Sequence, residues 1–258
     1  LRKTELKMFK KFLFIVFCSL FICGTSYSAD CGVVTVVDCA LTSSDDEIVM
    51  SDGDTVTITS SGSIIVDDHD NGGLIQLPGS TSNLTIENSG TLQVGKYDGV
   101  GTQTGERSTI RTTNNSTNPT LTNYGTIAAI SNTVNFTEAQ GNITIDNKSG
   151  AIISSRGDNS YGTINLKDAG DVTQGTISIT NAGTIQSNHT AHNISSNAKT
   201  HYALRLESIS GGNTITIDNS GTIKTVRCCA IYLNSTTDPV TITNSGTIYS
   251  GTHGAIDG

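Results

Sequence analysis

The sequence has no tryptophan, 3 prolines and an apolar content of 35%. A chain so poor in large apolar groups, with 27 glycines beside abundant Ser, Thr and Asn, has a composition close to that of a disordered polypeptide. Regular alternation along most of its length excludes that reading, because a disordered tract has no buried-face period. Positive charge is also scarce. Lys and Arg number 15 against 23 Asp and Glu, a net charge of −8, and no basic cluster follows residue 11. A nucleic-acid partner is thereby disfavoured, since its backbone is bound by clustered Lys and Arg.

Chemical signatures are missing as well. There is no G-x-S-x-G, and the stretch from Gly157 to Gly162 is not a serine nucleophile motif. Asp67-Asp68-His69-Asp70 is the densest acidic cluster, but its spacing matches no calcium-binding repeat, and it reads as a solvated loop. His189, His192 and His201 have no Cys or carboxylate at metal-ligand spacing. No cofactor, metal or catalytic residue is expected.

What is present is a repeat. Val240-Thr241-Ile242-Thr243-Asn244-Ser245-Gly246-Thr247-Ile248 is one copy. Others align around Gly62, Gly90, Gly125, Gly150, Gly183 and Gly221, the Gly150 copy carrying one extra residue. Gly62 to Gly246 spans 184 residues in six intervals, a period of about 31 with spacings from 25 to 38. Such a period points to a solenoid, propeller or array, and its scatter places length variation in loops.

Within a copy, Val240 and Ile242 alternate with Thr241 and Thr243, as in a strand with one buried face. Asn244-Ser245-Gly246 breaks that strand, with glycine expected to supply positive φ. Thr247-Ile248 starts another. A weaker motif precedes most copies: Leu74-Ile75-Gln76-Leu77, Ile164-Asn165-Leu166, Leu204-Arg205-Leu206 and Ile231-Tyr232-Leu233, with Val134-Asn135-Phe136 as a degraded version.

Three short strands and three turns per unit predict an all-β, right-handed, three-sided parallel β-helix of about seven coils. At about 4.8 Å per coil, that is a rod of roughly 34 Å. A propeller would need about 40 residues and four longer strands per blade. Ile over Ile is expected to fill the interior, with rows of Thr outside. Asn88, Asn123, Asn147, Asn181, Asn219 and Asn244 are expected to stack as a ladder at one corner.

Residues 1–28 read as a signal peptide. Lys7, Lys10 and Lys11 precede an apolar run of 12 residues from Phe12 to Cys23, too short to span a bilayer comfortably. Cleavage is expected between Ser28 and Ala29, with Met8 as the start and residues 1–7 as an upstream extension. Residues 29–51 are expected to form an N-terminal cap, with a disulfide between Cys31 and Cys39 pinning a small hairpin or cap over the first coil. Residues 52–258 hold the repeats.

Residues 95–118 and 154–161 read as polar excursions between coils. Cys229 is expected in the core beside Ile231 and Leu233, with Cys228 facing out. The outward residues Asn165, Arg205 and Tyr232, with Asp257 next, predict a vertical row able to face a ligand, an extended glycan or peptide. The last residues, His253 to Gly258, match the opening of a further coil, so the chain reads as the N-terminal part of a longer protein.

The repeated Val-Thr-Ile-Thr-Asn-Ser-Gly-Thr-Ile, preceded by Ala-Ile-x-Leu and following a bacterial-type signal peptide, resembles the passenger region of Gram-negative autotransporters over roughly residues 52–258. The resemblance implies export, then passage through the outer membrane by a C-terminal β-barrel beyond the sequence in hand. It implies a location at the cell surface or outside the cell. Passengers of this kind include adhesins, proteases and esterases. No enzymatic motif of the family is found here, so the expected role is a structural or adhesive stalk that binds a cell surface, a polymer or another copy of itself. The alternative is a polysaccharide lyase or hydrolase acting in a lateral groove.

Overall fold

The computed structural model describes residues 34–36, 48–66, 72–95, 107–113, 115–156, 162–169, 175–188 and 201–258. The fold is a three-sided parallel β-helix of about seven coils. Its strands lie in three parallel sheets of eight, seven and eight strands, each strand paired with its counterparts on neighbouring coils. The first sheet runs from Val34–Val36 to Val240–Asn244, the second from Ser63–Val66 to Thr247–Ser250, and the third from Ile48–Val49 to Ile256–Asp257. From Thr55 onward every coil visits the sheets in that order. Purely parallel, coil-to-coil pairing rules out a propeller, whose blades are antiparallel sheets.

The interior is built as the alternation dictates. One coil contributes Ile145, Ile153 and Ile164 and the next Ile179, Ile185 and Leu204, all at most 1% exposed. They pair in register: Ile145 with Ile179, Ile153 with Ile185, Ile164 with Leu204. Each such burial removes a side chain worth about 1.5–3 kcal/mol from water. No coil could do so alone, because the atoms that cover each side chain belong to the coils above and below.

One strand was not expected. Arg107–Thr112, inside the stretch 95–118, is a six-residue strand of the third sheet. Its Ile110 pairs with Ile75 on one side and Val134 on the other. Ile110 is its only apolar residue, so the sequence pattern is faint there. Thr109 and Thr112 are nonetheless buried, and their hydroxyls donate to the carbonyls of Ala128 at 2.6 Å and Thr137 at 2.7 Å. Val134–Asn135 holds the place of a third-sheet strand between Ile110 and Ile164. Within the stretch assigned to a cap, Val34–Val36 pairs parallel with Val56–Ile58, and Ile48–Val49 pairs parallel with Ile75–Gln76. Both are strands of the stack. Cys31 and Cys39 lie outside the described residues.

The turn glycines act by close approach. A Cβ on Gly125 would lie 2.1 Å from the Gly90 carbonyl oxygen, and one on Gly221 2.1 Å from that of Gly183. The backbones of successive coils nearly touch at this corner, and only glycine admits it. Gly150 is the exception. Its φ is +81°, nothing lies within 4 Å of its would-be Cβ, and Ala151 takes the next place in the column. The extra residue of that copy is thus absorbed by one left-handed glycine.

The two longest connections between successive strands, from Val94 to Arg107 and from Ser187 to Leu204, both lead from the second sheet to the third, as do those from Val66 to Gly72 and from Ser155 to Ile164. Asp67-Asp68-His69-Asp70, His189 and His192 fall in these connections, outside the described residues.

Candidate functional site

Strand pairing brings the row anticipated on the third sheet into register: Gln76, Arg111, Asn135, Asn165, Arg205, Tyr232 and Asp257 follow one another coil by coil. Its middle is not free to meet a ligand. Asn135 and Asn165 are only 5% and 4% exposed. The Asn165 amide donates to Asn135 Oδ1 at 3.0 Å and to Thr137 Oγ1 at 3.1 Å, and Thr137 in turn donates to Asn135. Arg205 donates from Nε to Glu207 Oε2 at 2.8 Å, and its other guanidinium nitrogen closes a second contact with the same oxygen. The ring of Tyr232 stacks on that of Tyr202, centroids 4.3 Å apart and 10° from parallel. The middle of the row therefore spends Asn135, the Asn165 amide nitrogen, Arg205 and Tyr232 on their own neighbours, while Asn165 Oδ1 is left buried without a hydrogen-bond partner. Glu207 lies in the neighbouring outward column and was legible as outward, since it continues the alternation two residues after Arg205. Tyr202 and Thr137 were not, because they precede or follow the strands.

At the far end of the row lies a small satellite cluster: Tyr202, Cys228, Cys229 and Tyr232. Both cysteines are 1% exposed. The expectation of Cys229 in the main core and Cys228 outside needs correcting. The strand begins only at Ile231, and the chain bends through the corner before it. Ala230, not Cys229, enters the interior beside Ile231. Period-2 alternation holds only along a strand, and the corner breaks it. Burial, the neighbouring Cys228 and then Asp257 push the Cys229 thiol up to about 12. Burial likewise raises Tyr202 well above the ordinary phenol range.

The first sheet presents a different surface. One outward column reads Thr55, Thr85, Thr120, Thr144, Ser178, Thr216, Thr241, a hydroxyl on every coil. The column beside it reads Thr57, Glu87, Thr122, Asp146, Thr180, Asp218, Thr243, with Thr and carboxylate alternating. All of these side chains are exposed or half-buried. Asp146 is held by Lys148, whose ammonium also lies 5.9 Å from the Tyr124 ring centroid. Behind this face runs the asparagine ladder. Asn88, Asn123, Asn147, Asn181 and Asn219 point inward, at most 2% exposed, and each amide donates to the next at 2.7–2.9 Å.

Among the described residues no three His, Cys, Asp or Glu side chains converge as metal ligands. His201 is buried, its carbonyl accepting from Thr225 Oγ1 at 3.0 Å.

Comparison with known proteins identifies no relative: no family model, no curated protein and no solved structure matches this chain.

Proposed function

We propose that the chain is the exported passenger part of an autotransporter-like protein and works as an adhesive stalk at the cell surface. The observation that carries this reading is the first sheet, a face of paired columns that repeats a hydroxyl on each of seven coils. Coils about 4.8 Å apart offer an extended polymer a contact at each step of its length. Single hydroxyl contacts are weak, but many contacts on one rigid rod act together and gain avidity. Glu87 and Asp218 make the face acidic, Asp146 being neutralised by Lys148, so it suits a neutral polysaccharide and repels an anionic one. Export and display follow the resemblance of the repeat and the leader-like residues 1–28. A β-barrel encoded beyond residue 258 supplies the membrane anchor in this reading.

The test is binding of the chain to a panel of insoluble and cell-surface polysaccharides. Thr122→Lys and Thr180→Lys, outward substitutions on the first sheet, are expected to abolish retention while leaving the far-ultraviolet circular dichroism unchanged. Retention that survives both substitutions, or that appears only on polyanions, overturns the assignment. Sequencing the gene past codon 258 tests the export route separately.

A second reading, a polysaccharide-active enzyme, is favoured by one observation: Arg205, Glu207, Tyr202 and Tyr232 meet within two adjacent coils. Glycoside hydrolysis ordinarily needs two carboxyl groups flanking the bond. Depolymerisation that disappears in Glu207→Gln and Arg205→Ala would establish this reading over the adhesive one.

A further inference from the structure

The two cysteines of the satellite cluster carry chemistry that neither reading uses. Cys228 and Cys229 are neighbours in sequence, and in a strand their side chains would point to opposite faces. Here the corner before Ile231 turns both inward against Tyr202 and Tyr232, and their sulfurs lie 3.2 Å apart. Cys229 Sγ also sits 3.5 Å from Asp257 Oδ2, and the Cys228 carbonyl accepts from the Ser250 hydroxyl of the next coil. The backbone of this corner is thus fixed from outside, with the two sulfurs already adjacent.

We propose that Cys228 and Cys229 are a modification site, at which the two thiols close a vicinal disulfide by exchange with a small-molecule disulfide such as oxidised glutathione. One cysteine, as thiolate, attacks a sulfur of the donor and releases one donor thiol. The other, held alongside, attacks the mixed disulfide and expels the second donor thiol. Two electrons and two protons leave the cysteine pair, and the donor disulfide is reduced to two thiols. Thiolate is scarce once the pair is buried, because burial disfavours the charged form. Exchange therefore belongs to the folding chain, before Tyr202 covers the corner. Oxidation removes the S–H group that faces Asp257 and leaves the pair as one compact apolar unit under the two rings. Adjacent Cα atoms are about 3.8 Å apart, closer than the usual span of a bridge, so this disulfide is strained and is expected to reduce readily. The inference rests on the corner alone and not on the ligand assigned to the first sheet.

Trypsin gives a direct test, because residues 228–258 contain no Lys or Arg and follow Arg227. When the chain is expressed as residues 1–258, their peptide carries Cys228 and Cys229 as its only cysteines. The full chain is reduced, unfolded in urea, refolded with oxidised glutathione, then denatured, alkylated with iodoacetamide and digested. The expected peptide is unalkylated and lighter by two hydrogens, and it takes up two alkyl groups only when reduced first. Two alkyl groups without reduction, a persistent glutathione adduct, or a cross-link to a peptide holding Cys31 or Cys39 would each overturn the proposal.

Discussion

The side-chain amide of Asn181 donates from Nδ2 to Oδ1 of Asn219 at 2.7 Å. The same nitrogen reaches the Gly183 carbonyl at 3.3 Å and the Thr222 carbonyl of the next coil at 3.2 Å. Its own Oδ1 accepts from Asn147. From Asn88 to Asn219 each amide donates to the next Asn, so all the amide dipoles run one way along the stack. Buried amides are costly unless both ends are satisfied, and here each coil satisfies the next.

Asn181→Ala breaks that chain in the middle. It removes the acceptor of the Asn147 amide and the donor to Asn219 Oδ1 and to the Thr222 carbonyl, while the Gly183 carbonyl keeps the Thr222 N–H. The expected loss is about 2–4 kcal/mol, from about 1–3 kcal/mol per stranded buried group with partial relief by water. Urea unfolding monitored by circular dichroism measures it. Hydrogen exchange should show the loss concentrated at the flanking coils, because stability in such stacks is a sum of near-neighbour terms.

Two glycine substitutions should separate two mechanisms. In Gly221→Ala the new methyl would lie 2.1 Å from the Gly183 carbonyl oxygen, so two coils must part. In Gly150→Ala the space is open and only the left-handed φ is penalised, by about 1–2 kcal/mol. Gly221→Ala is expected to be the more damaging by at least about 1 kcal/mol. Equal destabilisation in parallel urea titrations would refute the close-approach account of the column.

The inner and outer faces of one strand should differ sharply. Ile217 is fully buried, and Ile217→Ala is expected to cost about 2–5 kcal/mol through lost transfer energy and the cavity left behind. Its neighbour Thr216 faces out, and Thr216→Ala should change stability by no more than about 0.5 kcal/mol. Denaturation midpoints of the two variants decide the point.

Acid should loosen the turn between residues 210 and 213. Burial works to raise the Asp238 pKa, but hydrogen bonds from the Asn213 backbone and side chain and from the Gly212 backbone outweigh it, and the carboxyl ends below its ordinary value. Those bonds are 2.8, 2.8 and 3.0 Å long. A depressed folded pKa contributes stability that is complete above the unfolded value and is lost as pH falls through the folded one. The window thus lies below about pH 4. Asp238→Asn should lower stability at pH 7 and flatten the acid limb of the stability profile. An unchanged acid limb would assign the pH dependence to other carboxylates.

Pattern alone determined the architecture. Val-Thr-Ile-Thr alternation specifies strands with one apolar face, a single recurring glycine specifies the unit, and units too small to bury that face must stack. The register of Asn88 to Asn244 and of Asn165, Arg205, Tyr232 and Asp257 follows, since a slip by one residue would turn isoleucine outward. Tertiary structure decided what alternation does not encode. Ile110 lies in a strand whose Thr109 and Thr112 are buried because the following coil supplies carbonyl acceptors for their hydroxyls. The glycine column exists because backbones approach, a distance set by stacking rather than by local φ. Asn165 and Arg205 sit in the outward row yet are spent on Asn135 and Glu207. Cys228 and Cys229 face the same way because the chain turns a corner between one sheet and the next, and at a corner the two-residue period of a strand no longer dictates where a side chain points.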